Sequence, residues 1–473
     1  MNNENPLNRR RFVQGSLAAA AMIPLGGALA SCATGGGTDT GGGDDNEANK
    51  SEENPFGLAE DAAIDAVIFN GGYGFDYVEF AGEQLNKKFP DVQLNVQGTT
   101  KIAQQLQPRF VGGNPPDLVD NSGANEIAFT TIIDQLETLD DVYDATNYEG
   151  TKISDTLYSP KVKVPGTFDG ELKAMNYVMN VFAIWYSASL FEENGWQPPK
   201  TWDETLDLGD KAKKAGKYLF VWGTEAATYY QTLAMNSAIK EGGDEVRKAL
   251  GGLEEDCWSQ EPLQKVFEAL ETCVKNGYFI PGGAGTQFTQ AQAQWSLEQK
   301  AILYPSGAWI ENEMKKATKD GFQMTGAPEP TVSSGSTMPY EAIRATAGEP
   351  FIVPSQGKNP AGAKELLRAM LSKEAATNFS KTRLTPTIVK DLIPEDGFGS
   401  SALVSQQDLL TAAGDNTFNY PVFGLYGMND AQLTVWNSFL SGEIDVKGLT
   451  KGLQDITDKV RNDPAVKKIP VPQ

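Results

Sequence analysis

The 473-residue chain contains no histidine. Imidazole-based triads, cysteine–histidine pairs and histidine-ligated zinc or haem are excluded by that absence. Cysteine is scarce too: Cys32, Cys257 and Cys273 are all there is, too few for a disulfide scaffold. Positive charge is the minority sign, with 40 Lys and Arg against 62 Asp and Glu, a formal net charge of −22. Phosphate backbones need a basic face, so nucleic acid is not an expected partner. Nothing in the pattern asks for a cofactor or a metal. What remains is the chemistry of carboxylates, amides and aromatic rings. The composition, 40% hydrophobic and 22% charged, is that of ordinary globular protein, and the length suits two or three packed domains.

Residues 1–32 read as an address. Arg9-Arg10-Arg11-Phe12 precedes an apolar run from Leu17 to Ala30 that Pro24, Gly26 and Gly27 interrupt. The run is short for a bilayer and has the charged-then-apolar shape of an export signal of the twin-arginine type. It ends Leu29-Ala30-Ser31-Cys32, which looks like a lipobox whose cysteine is acylated. Residues 33–60 follow as a Gly-rich acidic tether, with ends roughly 25 Å apart for a flexible chain of that length. The expected location is the outer face of a membrane, held through a lipid on Cys32. Cys257 and Cys273 are open to two readings, a disulfide or two small buried hydrophobes.

The body alternates strands with helices. Ala66-Val67-Ile68-Phe69 is a continuous apolar run, expected of a strand covered on both faces. Tyr77, Ala81, Leu85 and Phe89 mark an amphipathic helix that Pro90 ends, and Val92, Leu94 and Val96 alternate as a second strand. Ile102, Leu106 and Phe110 form the next stripe, before strand three at Leu118. Asp169-Gly170 predicts a tight hairpin, and Thr201-Trp202-Asp203-Glu204 a capped helix start. Strands are expected at 182–186, 218–222, 301–304 and 351–354, and a last helix through Val446, Leu449, Leu453 and Val460. So many βα units predict an α/β protein of two lobes, each a mostly parallel sheet flanked by helices. Ligands in such sheets bind beyond the carboxyl ends of the strands.

Those strand ends carry the candidate site. Asn70-Gly71-Gly72-Tyr73-Gly74 follows the first strand; it is either a tight turn or a loop built for close approach, with Tyr73 as a ring bearing a polar tip. No GxxxxGK[ST] phosphate loop is present there. Asn121 follows strand three, where it could hold a hydroxyl or cap a helix. Trp222, Glu225 and Tyr229 follow the strand at 218–222, and Trp309 and Glu311 the one at 301–304. Pyranose rings expose flat C–H faces that stack on indole and phenol rings, so aromatics beside carboxylates suit a saccharide. Two acidic residues could instead make a glycosidase, but among 62 such a pair is always available.

The segments PRFVGGNPPDLVDNSG (108–123), WYSASLFEENGWQPPKTWDE (185–204), ILYPSGAWIENEM (302–314) and AGEPFIVP (347–354) resemble, in this order, the extracellular solute-binding proteins of ABC importers. VIFNGGYG (67–74), LQPRFVGGNPPD (106–117), PYEAIRATAGEPF (339–351) and MLSKEAATNFS (370–380) are similar to the lipoproteins of actinobacterial importers that bind N-acetylglucosamine and N,N′-diacetylchitobiose. The resemblance implies a type II, periplasmic-binding-protein-like fold with the ligand cleft between lobes. Lobe one would comprise 61–178 and 345–390, lobe two 181–340 and 391–473. It also implies a sugar-stacking role for Trp309, a crossover hydrogen bond from Asn180, polar contact from Asn121, a fork-shaped donor in Arg344 and a closing ring in Tyr426. The implied partners are a mono- or oligosaccharide and the membrane subunits of an ABC permease, bound by a monomer that is not an enzyme. A surface-anchored glycoside hydrolase, or a binder of a different sugar such as a maltose-type oligosaccharide, are the alternatives.

Overall fold

The computed structural model describes residues 49–420 and 425–471; the export signal, Cys32 and the tether up to residue 48 lie outside them. Folded structure begins earlier than residue 61. Phe56 and Leu58 are buried, and the Asn54 amide brackets the turn, donating to Leu58 O at 2.9 Å and accepting from Leu58 N at 2.8 Å. Two apolar side chains late in the Gly-rich stretch are enough to dock it, so the tether is shorter than its composition suggests.

β1 (Ala63–Phe69) buries Ile64, Ala66, Val67 and Ile68, as a strand covered on both faces must. It pairs in parallel with β2 (Gln93–Thr99) on one side and β3 (Leu118–Asp120) on the other. Helices α1 (Asp76–Lys88) and α2 (Ile102–Val111) make the two crossovers, and α1 turns Tyr77, Val78, Ala81 and Leu85 inward. The expected βαβαβ unit is present. The hairpin joins β4 (Thr167–Phe168) to β5 (Glu171–Leu172), with Asp169 at φ 51° and Gly170 at φ 89°, the paired positive angles of a tight two-residue turn.

β6 (Met175–Ser187) is 13 residues long. The apolar pattern predicts a strand only at 182–186; the backbone runs extended from Met175 through both Asn176 and Asn180. Its first half pairs antiparallel with β9 (Ile343–Ile352), from Met175 opposite Phe351 to Val181 opposite Ala345. Its second half pairs with β7 (Leu303–Gly307) and β8 (Met324–Ala327), also antiparallel. β9 pairs with β3 at its far end and with β10 (Thr417–Phe418) at its near end. The sheet order is therefore β2-β1-β3-β9-β6-β7. Only the β1–β3 end and the β9–β10 pair are parallel ladders; the segment at 218–222 contributes single parallel bridges, Tyr218 to Ala301 and Phe220 to Phe279. The antiparallel ladders follow from the crossovers, which must run out of one sheet and return.

Helices cover the sheet. α3 (Ala188–Asn194) and α4 (Trp202–Lys214) start at hydroxyl caps, Ser187 accepting from Leu190 N and Thr201 from Glu204 N. α5 (Tyr229–Gly242), α6 (Phe288–Ser296) and α7 (Ile310–Met314) complete the layer next to β7. α8 (Pro360–Met370) and α9 (Lys373–Arg383) pack beside α1, and α10 (Val446–Asn462) is the expected last helix. Cys257 and Cys273 are free, buried thiols, which answers the earlier choice in favour of small hydrophobes.

Phe379, in α9, locks the β1–β3 end of the molecule. It is fully buried, and the rings of Tyr77 at 5.0 Å, Tyr177 at 5.2 Å and Tyr73 at 5.4 Å surround it. Phe379→Ala is expected to remove about 3–5 kcal/mol of stability through lost burial and a residual cavity. Urea unfolding checks this: the midpoint should fall while the slope stays unchanged.

Candidate functional site

The site is assembled where β6 and β9 cross from one lobe to the other. Trp309 caps the short helix α7 immediately after β7. Its indole lies over Gly307, where any Cβ would run into the ring. Its Nε1 donates to the Tyr229 hydroxyl at 3.1 Å, and its edge meets Phe182 with centroids 5.5 Å apart and planes at 86°. Tyr229 is the first residue of α5, so its phenol reaches β7 from the start of that helix. The other neighbour of Phe182 is Arg344, whose guanidinium sits 4.1 Å from the Phe182 centroid and 4.2 Å from that of Tyr420. A planar cation between two rings is held by both quadrupoles.

The loop after β1 closes on this platform from the opposite side. A Cβ at Gly72 would lie 3.1 Å from Trp309 Cβ and 3.1 Å from Glu313 Cγ. Glycine is what allows the backbone that close. The Asn312 amide donates to Gly72 O. Next in the loop, Tyr73 is buried and its hydroxyl donates to Asn180 Oδ1 at 3.4 Å. Asn180 needs glycine at 348, diagonally across on β9, since a Cβ there would collide with the amide. Tyr73, Asn180, Tyr229, Trp309 and Arg344 thus gather around one crossing, and Asn70 stands exposed at the loop's entrance.

A model of the bacterial extracellular solute-binding protein family matches residues 81–404. The chain belongs to that family. The diacetylchitobiose binding protein NgcE of Streptomyces coelicolor is 58% identical over 465 residues, covering 98% of each chain. Among solved structures, apo RafE from Streptococcus pneumoniae superposes with a TM-score of 0.64 at 18% identity, over 85% of this chain and 98% of that one. A chitin oligosaccharide binding protein gives 0.65 at 15% identity, over 83% of this chain and 98% of its own. At such identities these two carry the fold alone: the two-lobed, type II architecture that the resemblance implied.

Within this solute-binding protein, five of the residues singled out from the sequence have other occupations. Trp222 is 2% exposed; it stands edge-on to Phe279, donates to Asn437 Oδ1 at 3.3 Å and covers Gly283. It follows isolated bridges rather than a strand end, so its ring turns into the helical layer. Glu225 accepts from Phe288 N at 3.0 Å and caps α6. Asn121 is buried and spends its amide on its own loop, donating to Ile127 O and accepting from Ile127 N. Glu311 accepts from the Ser400 hydroxyl at 2.5 Å. The Tyr426 hydroxyl accepts from Ile469 N at 2.9 Å and fixes the C-terminal segment.

Several carboxyls also gather near these residues. Asp120 ends β3, fully buried, and takes hydrogen bonds from Ser122 and from Tyr77. Glu349 interrupts β9 with φ 54°. Burial, then the facing Glu349, raises the Asp120 carboxyl well above the carboxylate range, and burial raises Glu349, so the pair holds a proton between them. Burial, with Glu349 adding, pushes Glu126 up to about 8. Glu313, beneath the Gly72 loop and accepting from Gln292 at 2.6 Å, is pushed up to about 7 by burial. Glu311 is likewise raised to about 7 by burial. Among the described residues no helix is long and apolar enough to cross a membrane.

A carboxyl whose folded pKa is raised contributes stability that is fully present below its unfolded value near 4.5 and is lost as pH climbs through the folded value. For Glu311, Glu313 and Glu126 that window runs from about pH 4.5 to about 7 or 8. Thermal melts should therefore show the melting temperature falling from pH 5 to pH 8. Glu313→Gln should flatten that fall, gaining about 2 kcal/mol at pH 8 relative to pH 5.

Proposed function

We propose that this protein is the membrane-anchored binding component of an ABC sugar importer, capturing N-acetylglucosamine or N,N′-diacetylchitobiose between its lobes and delivering it to the permease. The observation that carries the reading is the Trp309 platform, stacked over Gly307 and faced by the Gly72 loop. The 58% identity with a diacetylchitobiose binding protein supports the sugar. In this reading lobe one is 61–178 with 345–390, lobe two is 181–340 with 391–473, and a lipid on Cys32 holds a monomer to the outer face of the membrane.

The mechanism follows from the placement of the groups. Trp309 and Tyr229 belong to lobe two, the Gly72 loop with Tyr73 to lobe one, and Arg344 to the crossover between them. A sugar laid on the indole is reached by both sets only when the lobes approach, so the ligand stabilises the closed form by its extra contacts there. β6 and β9 carry the hinge, with Asn180 at its midpoint. A micromolar site needs about −8 kcal/mol, within reach of one stacked ring and a few hydrogen bonds net of ordering. No bond in the sugar is broken.

Titration calorimetry with N-acetylglucosamine, N,N′-diacetylchitobiose and maltose tests the ligand; heat from maltose alone would overturn the assignment. Trp309→Ala should weaken binding about 100-fold, as loss of a central aromatic anchor does, with the fold intact by circular dichroism. After prolonged incubation the disaccharide should be recovered whole. Release of the monosaccharide would establish the hydrolase instead.

A further inference from the structure

Behind the Trp309 platform lies a pocket lined by Phe182, Ala183, Tyr229, Leu233, Pro305, Ser306 and Glu329, among others. It has about 220 Å³ of space between its walls and the solvent it opens to, narrow enough that a water-sized sphere has only about 10 Å³ in which to move. Two buried polar atoms on its wall lack hydrogen-bond partners: Glu329 Oε2 and Ser306 Oγ. Both residues are more than nine-tenths buried, at 2% and 5% exposure. Buried polar atoms left in this state ordinarily face a water or a ligand group.

The Glu329 carboxyl is held firmly on its other side. Oε1 accepts from Asn236 Nδ2 at 2.6 Å, and the buried Lys240 ammonium donates to the Glu329 main-chain oxygen at 2.5 Å. The Tyr420 hydroxyl donates to Asn236 Oδ1 at 2.6 Å, which ties this network to the Arg344 sandwich. Oε2 is thus a fixed acceptor. Ser306, on β7 beside Tyr229, supplies a donor. Between them lie Phe182, Ala183, Leu233 and Pro305, which offer only carbon.

An acceptor, a donor and an apolar floor in a narrow slot match one common sugar substituent. We propose that this pocket is the acetamido subsite: the ligand N–H donates to Glu329 Oε2, its carbonyl accepts from Ser306 Oγ, and its methyl group rests among Phe182, Ala183, Leu233 and Pro305. A hydroxyl group in the same place would leave the carbon wall bare and one polar atom unpaired. The inference rests on the sugar-binding reading above and adds the group by which the sugar is told from its hydroxyl analogue.

The test is calorimetry of the full chain with N,N′-diacetylchitobiose and with cellobiose, which has hydroxyls in place of both acetamido groups. The wild type should prefer the acetamido sugar, because a site that hydrogen-bonds a group rejects the analogue that cannot satisfy it. Ser306→Ala, and Ala183→Leu, which fills the slot, should each cut affinity for the acetamido sugar about tenfold or more. Cellobiose binding should stay where the wild type has it. Glu329→Gln is the third variant; if it does not fold, the first two decide. Variants that bind diacetylchitobiose like the wild type, or that weaken both sugars equally, overturn the subsite and leave the transport reading standing. A wild type that prefers cellobiose or maltose overturns the transport ligand itself.

Discussion

Everything at the candidate site hangs on one ladder, the antiparallel pairing of β6 with β9 from Met175–Phe351 to Val181–Ala345. The two strands stand side by side in the middle of the sheet: β9 continues to β3 on one side, and β6 to β7 on the other. Any residue near the midpoint is fixed relative to both sides at once. Asn180 and Gly348 occupy that midpoint on facing strands, and the amide of one uses the space that the missing side chain of the other leaves. A side chain at Gly348 would displace Asn180, and with it the partner of Tyr73. The Gly72 loop and the Trp309 platform are thereby tied to the backbone ladder of β6 and β9.

From that ladder the chemistry divides. On the β7 side, Tyr420, Arg344, Phe182, Trp309 and Tyr229 form a connected series of rings around one guanidinium. Such a series resists sliding, since each ring is held edge-on or face-on by the next. On the β3 side, Asp120, Glu349 and Glu126 crowd their carboxyls in a buried corner with Tyr77 and Ser122. The Gly72 loop joins the two halves, touching Trp309 and Glu313 from above.

Legibility in the sequence followed periodicity. β1, α1, β2 and α2 were plain because apolar spacing and punctuating Pro or Gly agreed, and the hairpin at Asp169-Gly170 and the Thr201 cap were plain because their chemistry is local. The long strand β6 was not: only its stretch at 182–186 carries a continuous apolar run, while Asn176 and Asn180 stand among the apolar residues before it. The strand-end rule placed Trp309 and Trp222 alike. It succeeded in bringing Trp309 to Phe182 and Tyr229, where β7 is a real strand, and led astray at Trp222, where single bridges let the chain turn inward. Glu225 and Asn121 have the residue types of ligand contacts, but the same types cap helices and pin loops, and spacing does not separate those uses. Glu349, Glu313 and Glu329 had no signal, since each matters through neighbours more than twenty residues of chain away or through a φ of 54°.

A chain with net charge −22 builds this crossing from acids, and the consequence is electrical. Ionised, Asp120, Glu126, Glu313 and Glu349 would make the corner strongly negative and selective for cations. Burial raises all four, so around neutral pH much of that charge is absent, and a protonated carboxyl offers one donor and one acceptor, much as an amide does. The cation present, Arg344, is capped by rings on both faces. An amine in place of an acetamido group would have to force these acids to ionise against the burial that raises them. On the proposed sugar-binding reading, a neutral, ring-shaped, hydroxyl-rich ligand meets no such opposition.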